Sequence, residues 1–228
     1  TEQNGSFKVL QDSIASITED RRLQLLLIAF AFGAFFEGAA GFGTPVAVTA
    51  AILIGLGFSP LAASGLSLIA NTAPVAFGAL GTPIITLAKV HGYDAMEVSM
   101  MVGRQLPFFS LLVPFWLIWA FAGRRAMWEI WPAILVTGLS FAIMQFLVSN
   151  YIGPELVDII AAVVSMACLV SFLRYWQPKT IWTSVSLKGH EASGGQAQAP
   201  RAVTVHSRDD IIRAWTPWAI LTVFIFIW

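Results

Sequence analysis

Charged residues are scarce in this chain of 228 residues, and their scarcity argues against a soluble fold. Only 11% of the residues are Asp, Glu, Lys or Arg, whereas soluble domains carry about 25%. From Leu23 to Ala88 the single charged residue is Glu37. A soluble protein of this size cannot bury so long an apolar stretch inside itself, so we expect lipid to be its solvent.

Cysteines and clustered metal ligands are also lacking. The one cysteine, Cys168, can form neither an internal disulfide nor a metal site, and we interpret it as a small apolar filler. The histidines have no ligand-like spacing, the glycine-rich stretches lack the lysine of a phosphate-binding loop, and no Ser-His-Asp pattern occurs. We therefore expect no metal, no cofactor and no enzymatic site. The 13 basic and 13 acidic residues balance, and we expect no nucleic-acid partner.

The apolar residues that are present predict an all-α membrane protein that crosses the bilayer several times. Residues 1–22 contain an amphipathic stripe, formed by Phe7, Leu10, Ile14 and Ile17, which predicts a helix lying on a surface. Residues 23–104 form an apolar region broken by glycine and proline. Residues 105–176 contain three regular transmembrane helices, predicted at 106–122, 130–148 and 156–173.

The remainder of the chain is polar and then apolar again. Residues 177–210 are predicted to be a polar loop, and residues 211–228 to be the start of a truncated transmembrane helix. We therefore interpret the chain as an internal piece of a longer membrane protein. Lys and Arg accumulate on the cytoplasmic side of membranes, which predicts that 1–22, 123–129 and 174–213 are cytoplasmic and 149–155 external.

Glycine and proline interrupt the first apolar region at three places. Gly-Thr-Pro occurs at 43–45 and 81–83, and Asn-Thr-Ala-Pro at 71–74, which predicts helix breaks near 38–45, 71–74 and 81–83. Broken backbone at membrane depth survives only inside protein or beside a wet cavity. A restarted helix offers free N–H groups to an anion, as in transporters. The alternative is kinked helices with close packing of small residues.

Glu37 is placed before the first of these breaks, well past the middle of its apolar segment. A charged carboxylate there is costly, and burial favours its protonated form. A group that exchanges a proton suits a proton carrier; alternatively, a protonated Glu37 donates a hydrogen bond to a backbone carbonyl. Arg104 could bind a carboxylate through both of its terminal nitrogens, or its side chain could extend to the membrane interface.

The motifs resemble the bacterial L-lactate permease family. The resemblance is closest over "RRLQLLLIAFAFGAFFEGAAGFGTPVAVTAAILIGLGFSPLAASGLSLIANTAPVAFGALGTPI", and it extends to "GRQLPFFSLLVPFW" and to the lead-in "FKVLQDSIASITEDRR". It implies a bacterial plasma (inner) membrane protein that takes up L-lactate, and in some members D-lactate or glycolate, together with a proton. Members of the family are longer, so part of the transporter would lie outside this chain.

The resemblance implies a symporter whose partners are a small monocarboxylate, protons and the lipid bilayer. We expect Glu37 to couple proton movement to transport. The expected substrate-binding residues come from the breaks and from the start of the next span: Gly41, Gly43, Thr44, Asn71, Thr72, Gly81, Thr82, Arg104 and Gln105. The alternatives are a monocarboxylate anion channel, or an intramembrane enzyme or non-transporting structural subunit. Accumulation against a gradient distinguishes a symporter from a channel, and paired catalytic groups would identify an enzyme.

Overall fold

The computed structural model describes residues 17–183 and, outside them, Val9, Asp209, Asp210, Arg213, Thr216 and Ile220. Residues 17–183 contain helices and turns but no strand. We number their helices as follows: α1 Arg21–Ala39, α2 Thr44–Gly55, α3 Pro60–Asn71, α4 Gly78–His91, α5 Ala95–Glu129, α6 Trp131–Tyr151 and α7 Val157–Leu173. The prediction of an all-α fold is confirmed. Most of the amphipathic stripe within 1–22, most of the 177–210 loop and most of 211–228 lie outside the described residues.

Several helix starts follow from local capping chemistry. Asp20 caps α1 by accepting a hydrogen bond from the Arg22 backbone N–H at 2.9 Å. Ser59 caps α3 in the same way through the N–H of Ala62, at 3.3 Å. Asp94 accepts from two N–H groups at the start of α5. Each side chain satisfies donors that a helix start leaves without an intrahelical partner.

Helix α1 is the centre of the bundle, because every residue from 22 to 38 is buried. Its middle, Leu26–Phe32, is a π-helix between two α-helical ends, and such segments recur at functional sites. Phe30 packs against Phe141 of α6 in an edge-to-face arrangement, with ring centroids 5.2 Å apart. The surrounding helices thus hold α1 along its whole length.

The helix breaks occur where glycine and proline predict them. Helix α1 ends at Ala39 and α2 begins at Thr44, and α3 ends at Asn71 before a short 3-10 turn at Val75–Phe77. The third break lies at residues 79–81, whose φ angles of +47°, +55° and +71° interrupt α4 near its start. The prediction of discontinuous helices is therefore confirmed.

Helix α5 begins earlier than the sequence analysis predicted. It starts at Ala95 and has 35 residues, so the predicted span 106–122 lies inside it. The cap at Asp94 explains the early start, because it satisfies the first donors of the helix. The predicted end at 122 is confirmed as a break, since Gly123 has φ +81° and ψ 172°. Helices α6 and α7 match their predicted spans to within three residues at either end.

Three described helices are long and apolar enough to cross a membrane: α1, α5 and α6. Helix α3 and the segment Val75–His91 would add a fourth span if this pair, bent by 70°, counts as one. Helix α7 has 17 residues and is shorter, although mainly apolar. These lengths fit a membrane protein. The predicted orientation and the division into five parts remain predictions.

A buried arginine ties the start of α1 to the α5–α6 turn. The Arg22 side chain is 0% exposed and makes a two-bond ion pair with Asp20, with Nε to Oδ1 at 3.0 Å and Nη2 to Oδ2 at 2.7 Å. It also donates to Glu129 Oε2 at 2.9 Å and to the carbonyl oxygens of Ala126 and Thr180. We call these five residues the Arg22 cluster. It joins three segments that are distant in sequence.

Candidate functional site

Glu37 lies in the last turn of α1, directly before the first break. The residue is 3% exposed, and its carboxyl is hydrogen-bonded by the side chain of Asn71. Its Oε1 atom lies so close to Gly78 that a Cβ atom there would overlap it. Its Oε2 atom has no hydrogen-bond partner among the described residues. The predicted proton-coupling residue thus lies between the end of α3 and the start of α4.

A second carboxyl lies beside this one. Asp158 is in the first turn of α7 and is 0% exposed. A Cβ atom on Gly38 would lie 3.0 Å from Asp158 Cβ, so the missing side chain of Gly38 lets α7 approach α1 here. Asp158 interacts electrostatically with Glu37. Within the described part of the chain, neither of its carboxyl oxygens has a hydrogen-bond partner.

The first and third breaks are in direct backbone contact. A Cβ atom on Gly41 would lie 2.7 Å from Ala79 Cβ and 2.9 Å from Ala79 N. A Cβ atom on Gly81 would lie 2.7 Å from the carbonyl carbon and oxygen of Pro154. At Gly41 and Gly81 the breaks therefore meet each other and the α6–α7 connection with no space for a side chain.

Among the residues that the structure describes, three other than glycine adopt left-handed conformations, and all three lie in these breaks. They are Phe42 (φ +50°), Ala79 (φ +47°) and Leu80 (φ +55°). Such conformations cost about 1–3 kcal/mol each and cluster at functional sites. The concentration of these strained conformations in the breaks points to a function for the breaks beyond packing.

A buried polar network supports the second break from behind. Ser110 of α5 donates to Gln145 Oε1 of α6 at 2.7 Å, and Gln145 Nε2 donates to the carbonyl oxygen of Ala73 at 3.3 Å. Both side chains are fully buried. The network supplies a partner for a carbonyl group that a broken helix leaves free.

The predicted hydroxyl groups lie at the surface of the described bundle, next to the breaks. Thr44, Thr72 and Thr82 are exposed. The Thr72 hydroxyl donates to the carbonyl oxygen of Ile69 at 2.7 Å, and that of Thr82 donates to Ala79. Each hydroxyl keeps the capacity to accept a further hydrogen bond.

The structure brings together some of the predicted site residues and not others. Gly41 and Gly81 are buried, Asn71 is half-buried, and Gly43 is exposed with open space around its Cα. These residues lie in or beside the three breaks. Their location does not by itself test whether they bind substrate, so their substrate-binding roles remain predictions.

Arg104 and Gln105 are not at a helix start, as the sequence analysis expected, but inside α5. Both side chains are exposed. Arg104 Nε donates to Asn150 Oδ1 at 3.2 Å, at the end of α6, and Gln105 donates to its own helix at Met101. In the part of the chain that the structure describes, Arg104 thus contacts the end of α6 and has no bond to Glu37.

The sequence analysis missed Asp158. It assigned 156–173 to an ordinary span and did not remark on the aspartate near the start of that span. An acidic residue inside an apolar segment was the available signal, because such residues are costly in membranes and mark functional sites. The same signal had identified Glu37.

Comparison with known proteins identifies the relatives of this chain. The family model for L-lactate permease matches residues 1–228. The L-lactate permease of Bacillus subtilis (strain 168) is 53% identical over 228 residues, covering 100% of this chain and 40% of the relative. Glycolate permease GlcA of Escherichia coli (strain K12) is 53% identical over 232 residues, covering 100% and 41%. The L-lactate permease of Salmonella typhimurium (strain LT2) is 50% identical over 226 residues, covering 99% and 40%.

The chain spans about 40% of the length of these relatives. No solved structure matches the fold.

Proposed function

This chain belongs to the L-lactate permease family, and we propose that the protein imports lactate, glycolate or a closely related hydroxy monocarboxylate together with protons. Permeases are transporters and not enzymes. Two relatives are each 53% identical to this chain, and one is named for lactate and the other for glycolate. This supports a substrate class defined by the chemistry that the two acids share. Both are small anions with a hydroxyl group next to the carboxylate.

The observation that carries the proposal is the buried carboxyl of Glu37 at the meeting point of the broken helices. Keeping a charged carboxylate at membrane depth costs about 2.5–3.5 kcal/mol on insertion scales. Packing alone could use alanine or glutamine at this position without that cost. A carboxyl that alternates between protonated and ionised forms supplies the proton partner that an anion needs to enter against the membrane potential.

The breaks supply the groups that an anionic substrate needs. Helices α2 and α4 restart at Thr44 and near Thr82, where free N–H groups and the helix dipole favour a carboxylate. The adjacent hydroxyl groups and Asn71 are suited to the substrate hydroxyl. Arg104, exposed on α5, is a further partner for the carboxylate. Location in a bacterial inner membrane, with several crossings, belongs to the same proposal.

The test is uptake of labelled lactate, glycolate, acetate and malate by the full-length protein in proteoliposomes. We expect lactate and glycolate to accumulate when protons are driven inward, and a protonophore to abolish the accumulation. Acetate lacks the hydroxyl group and malate has a second carboxylate, so both should be transported poorly. Lactate flux that only follows its own gradient, without proton dependence, would indicate an anion channel and contradict the proposal.

A further inference from the structure

Asp158 has no structural explanation in the described bundle. It is 0% exposed, and both carboxyl oxygens lack a hydrogen-bond partner among the described residues. An ionised carboxylate in such surroundings is strongly disfavoured, and even a neutral polar group costs free energy when it is buried without a partner. An apolar residue of similar size would fill this position at no such cost.

Asp158 and Glu37 belong to the two helices that meet at the α1–α7 contact. Gly38 follows Glu37 directly, and its missing side chain allows the Cβ atom of Asp158 to approach the α1 backbone. Because Glu37 and Gly38 are adjacent in α1, the Glu37 residue lies beside this contact with Asp158. Glu37 also has an unpartnered oxygen, Oε2, in the described part of the site. Three buried carboxyl oxygens in this contact therefore lack partners.

Among the described helices packed against this pair, none supplies a counter-ion. Helices α2, α3 and α6 contain no charged residue, and neither does the π-helical segment of α1. In α4 the titratable groups are Lys89 and His91, which are exposed at the end opposite to Gly78. Two carboxylates at close range without a cation do not both ionise, and they titrate as a coupled pair.

We infer that Asp158 is the second proton-binding group of the site, and that Glu37 and Asp158 act as a pair that always holds at least one proton. This inference rests on the proposed proton coupling at Glu37. In the singly protonated pair, an O–H bond on one carboxyl breaks as one forms on the other, and one negative charge is shared. Uptake of the transported proton makes the pair neutral, and its release restores the shared charge.

The pair predicts that both carboxyls are required for proton-driven accumulation. With Asp158→Asn, an ionised Glu37 would carry a full buried charge that no second carboxyl shares, so Glu37 should keep its proton. Lactate exchange through the neutral site should then persist, while accumulation driven by a proton gradient is lost. Asp94→Asn is the matched control, because Asp94 is an exposed helix cap at the start of α5 and asparagine caps equally well.

The experiment combines transport with infrared difference spectroscopy on the purified full-length protein. In the wild type, the signal of protonated carboxyls should change with pH and with lactate. Both Asp158→Asn and Glu37→Gln should abolish this change and retain a constant protonated carboxyl, and Asp94→Asn should behave as the wild type. An Asp158→Asn protein with wild-type accumulation and a wild-type pH response would overturn the inference and leave the proposed function intact.

Two further outcomes keep the inference testable. If Asp158→Asn does not fold, Glu37→Gln decides alone, because the pair predicts that a protonated carboxyl persists in this variant at all pH values tested, and the absence of that signal contradicts the pair. If the wild type shows no proton-dependent uptake, the proposed function fails. In that case the infrared spectra still decide whether the two carboxyls share a proton.

Discussion

Replacing Arg22 with leucine should destabilise the bundle more than any other change at the start of α1. The substitution removes all the bonds that the guanidinium makes in the Arg22 cluster and leaves Asp20 buried at 1% exposure. Removing one partner of a buried ion pair costs about 3–5 kcal/mol. Asp20 would keep two backbone donors, the N–H groups of Arg22 and Trp182 at 2.9 and 3.0 Å. We therefore expect a loss at the lower end of this range: the free energy of unfolding should fall by about 3 kcal/mol, or roughly 100-fold in the folded-to-unfolded ratio.

The assay is the thermal transition of the full-length protein in detergent, followed by size-exclusion chromatography after heating. Arg21→Leu is the matched control, because Arg21 makes a side-chain hydrogen bond to Gln24 at 2.7 Å, and its loss should cost about 1 kcal/mol. Adding Asp20→Asn to Arg22→Leu should recover part of the stability, since the unpaired buried charge is then removed.

Two results would refute this reasoning. One is an Arg22→Leu protein that melts at the temperature of the wild type, which would mean that the cluster adds nothing to stability. The other is a double variant that is less stable than Arg22→Leu alone, which would mean that the uncompensated charge of Asp20 is not the cause.

Three further changes test other parts of the site. Glu37→Gln mimics the protonated form, so lactate counterflow should persist while proton-driven accumulation fails; normal accumulation would remove the proton role of Glu37. Gly81→Ala should lower stability by about 1–3 kcal/mol more than Gly43→Ala, because both residues have positive φ but only Gly81 lies against Pro154; equal melting temperatures would contradict the packing argument. Gln145→Leu removes the hydrogen bonds of Gln145 to Ser110 and to the carbonyl oxygen of Ala73, so it should lower the free energy of unfolding by about 1–3 kcal/mol. An unchanged melting temperature would contradict this prediction.

The breaks could be predicted from the sequence because their causes are local. Proline removes a donor within its own turn, and glycine permits a positive φ at its own position. Gly43, with φ +84° directly before Thr44 and Pro45, illustrates both effects within three adjacent residues. Local chemistry of this kind does not depend on how the rest of the chain packs. The cap at Asp94 is equally local, since an aspartate directly before a helix is a start signal that can be recognised in the sequence.

The partners of the buried charges could not be predicted in the same way. Asp158 becomes a neighbour of Glu37 only because Gly38 allows α1 and α7 to approach closely, and no sequence pattern encodes that crossing. Arg22 illustrates the same limit. The sequence analysis counted it as a cytoplasmic positive charge, whereas the structure pairs it with Asp20 and Glu129. Contacts between distant segments depend on the packing of whole helices, which spacing along the chain does not reveal.

The contact between Gly41 and Ala79 has a mechanical consequence. A methyl group on Gly41 would lie only 2.7 Å from the Cβ atom of Ala79, so no slack separates the two stretches of backbone. Close-packed interiors transmit a displacement instead of absorbing it. We therefore expect a shift at one break to displace the other, so that the starts of α2 and α4 move together.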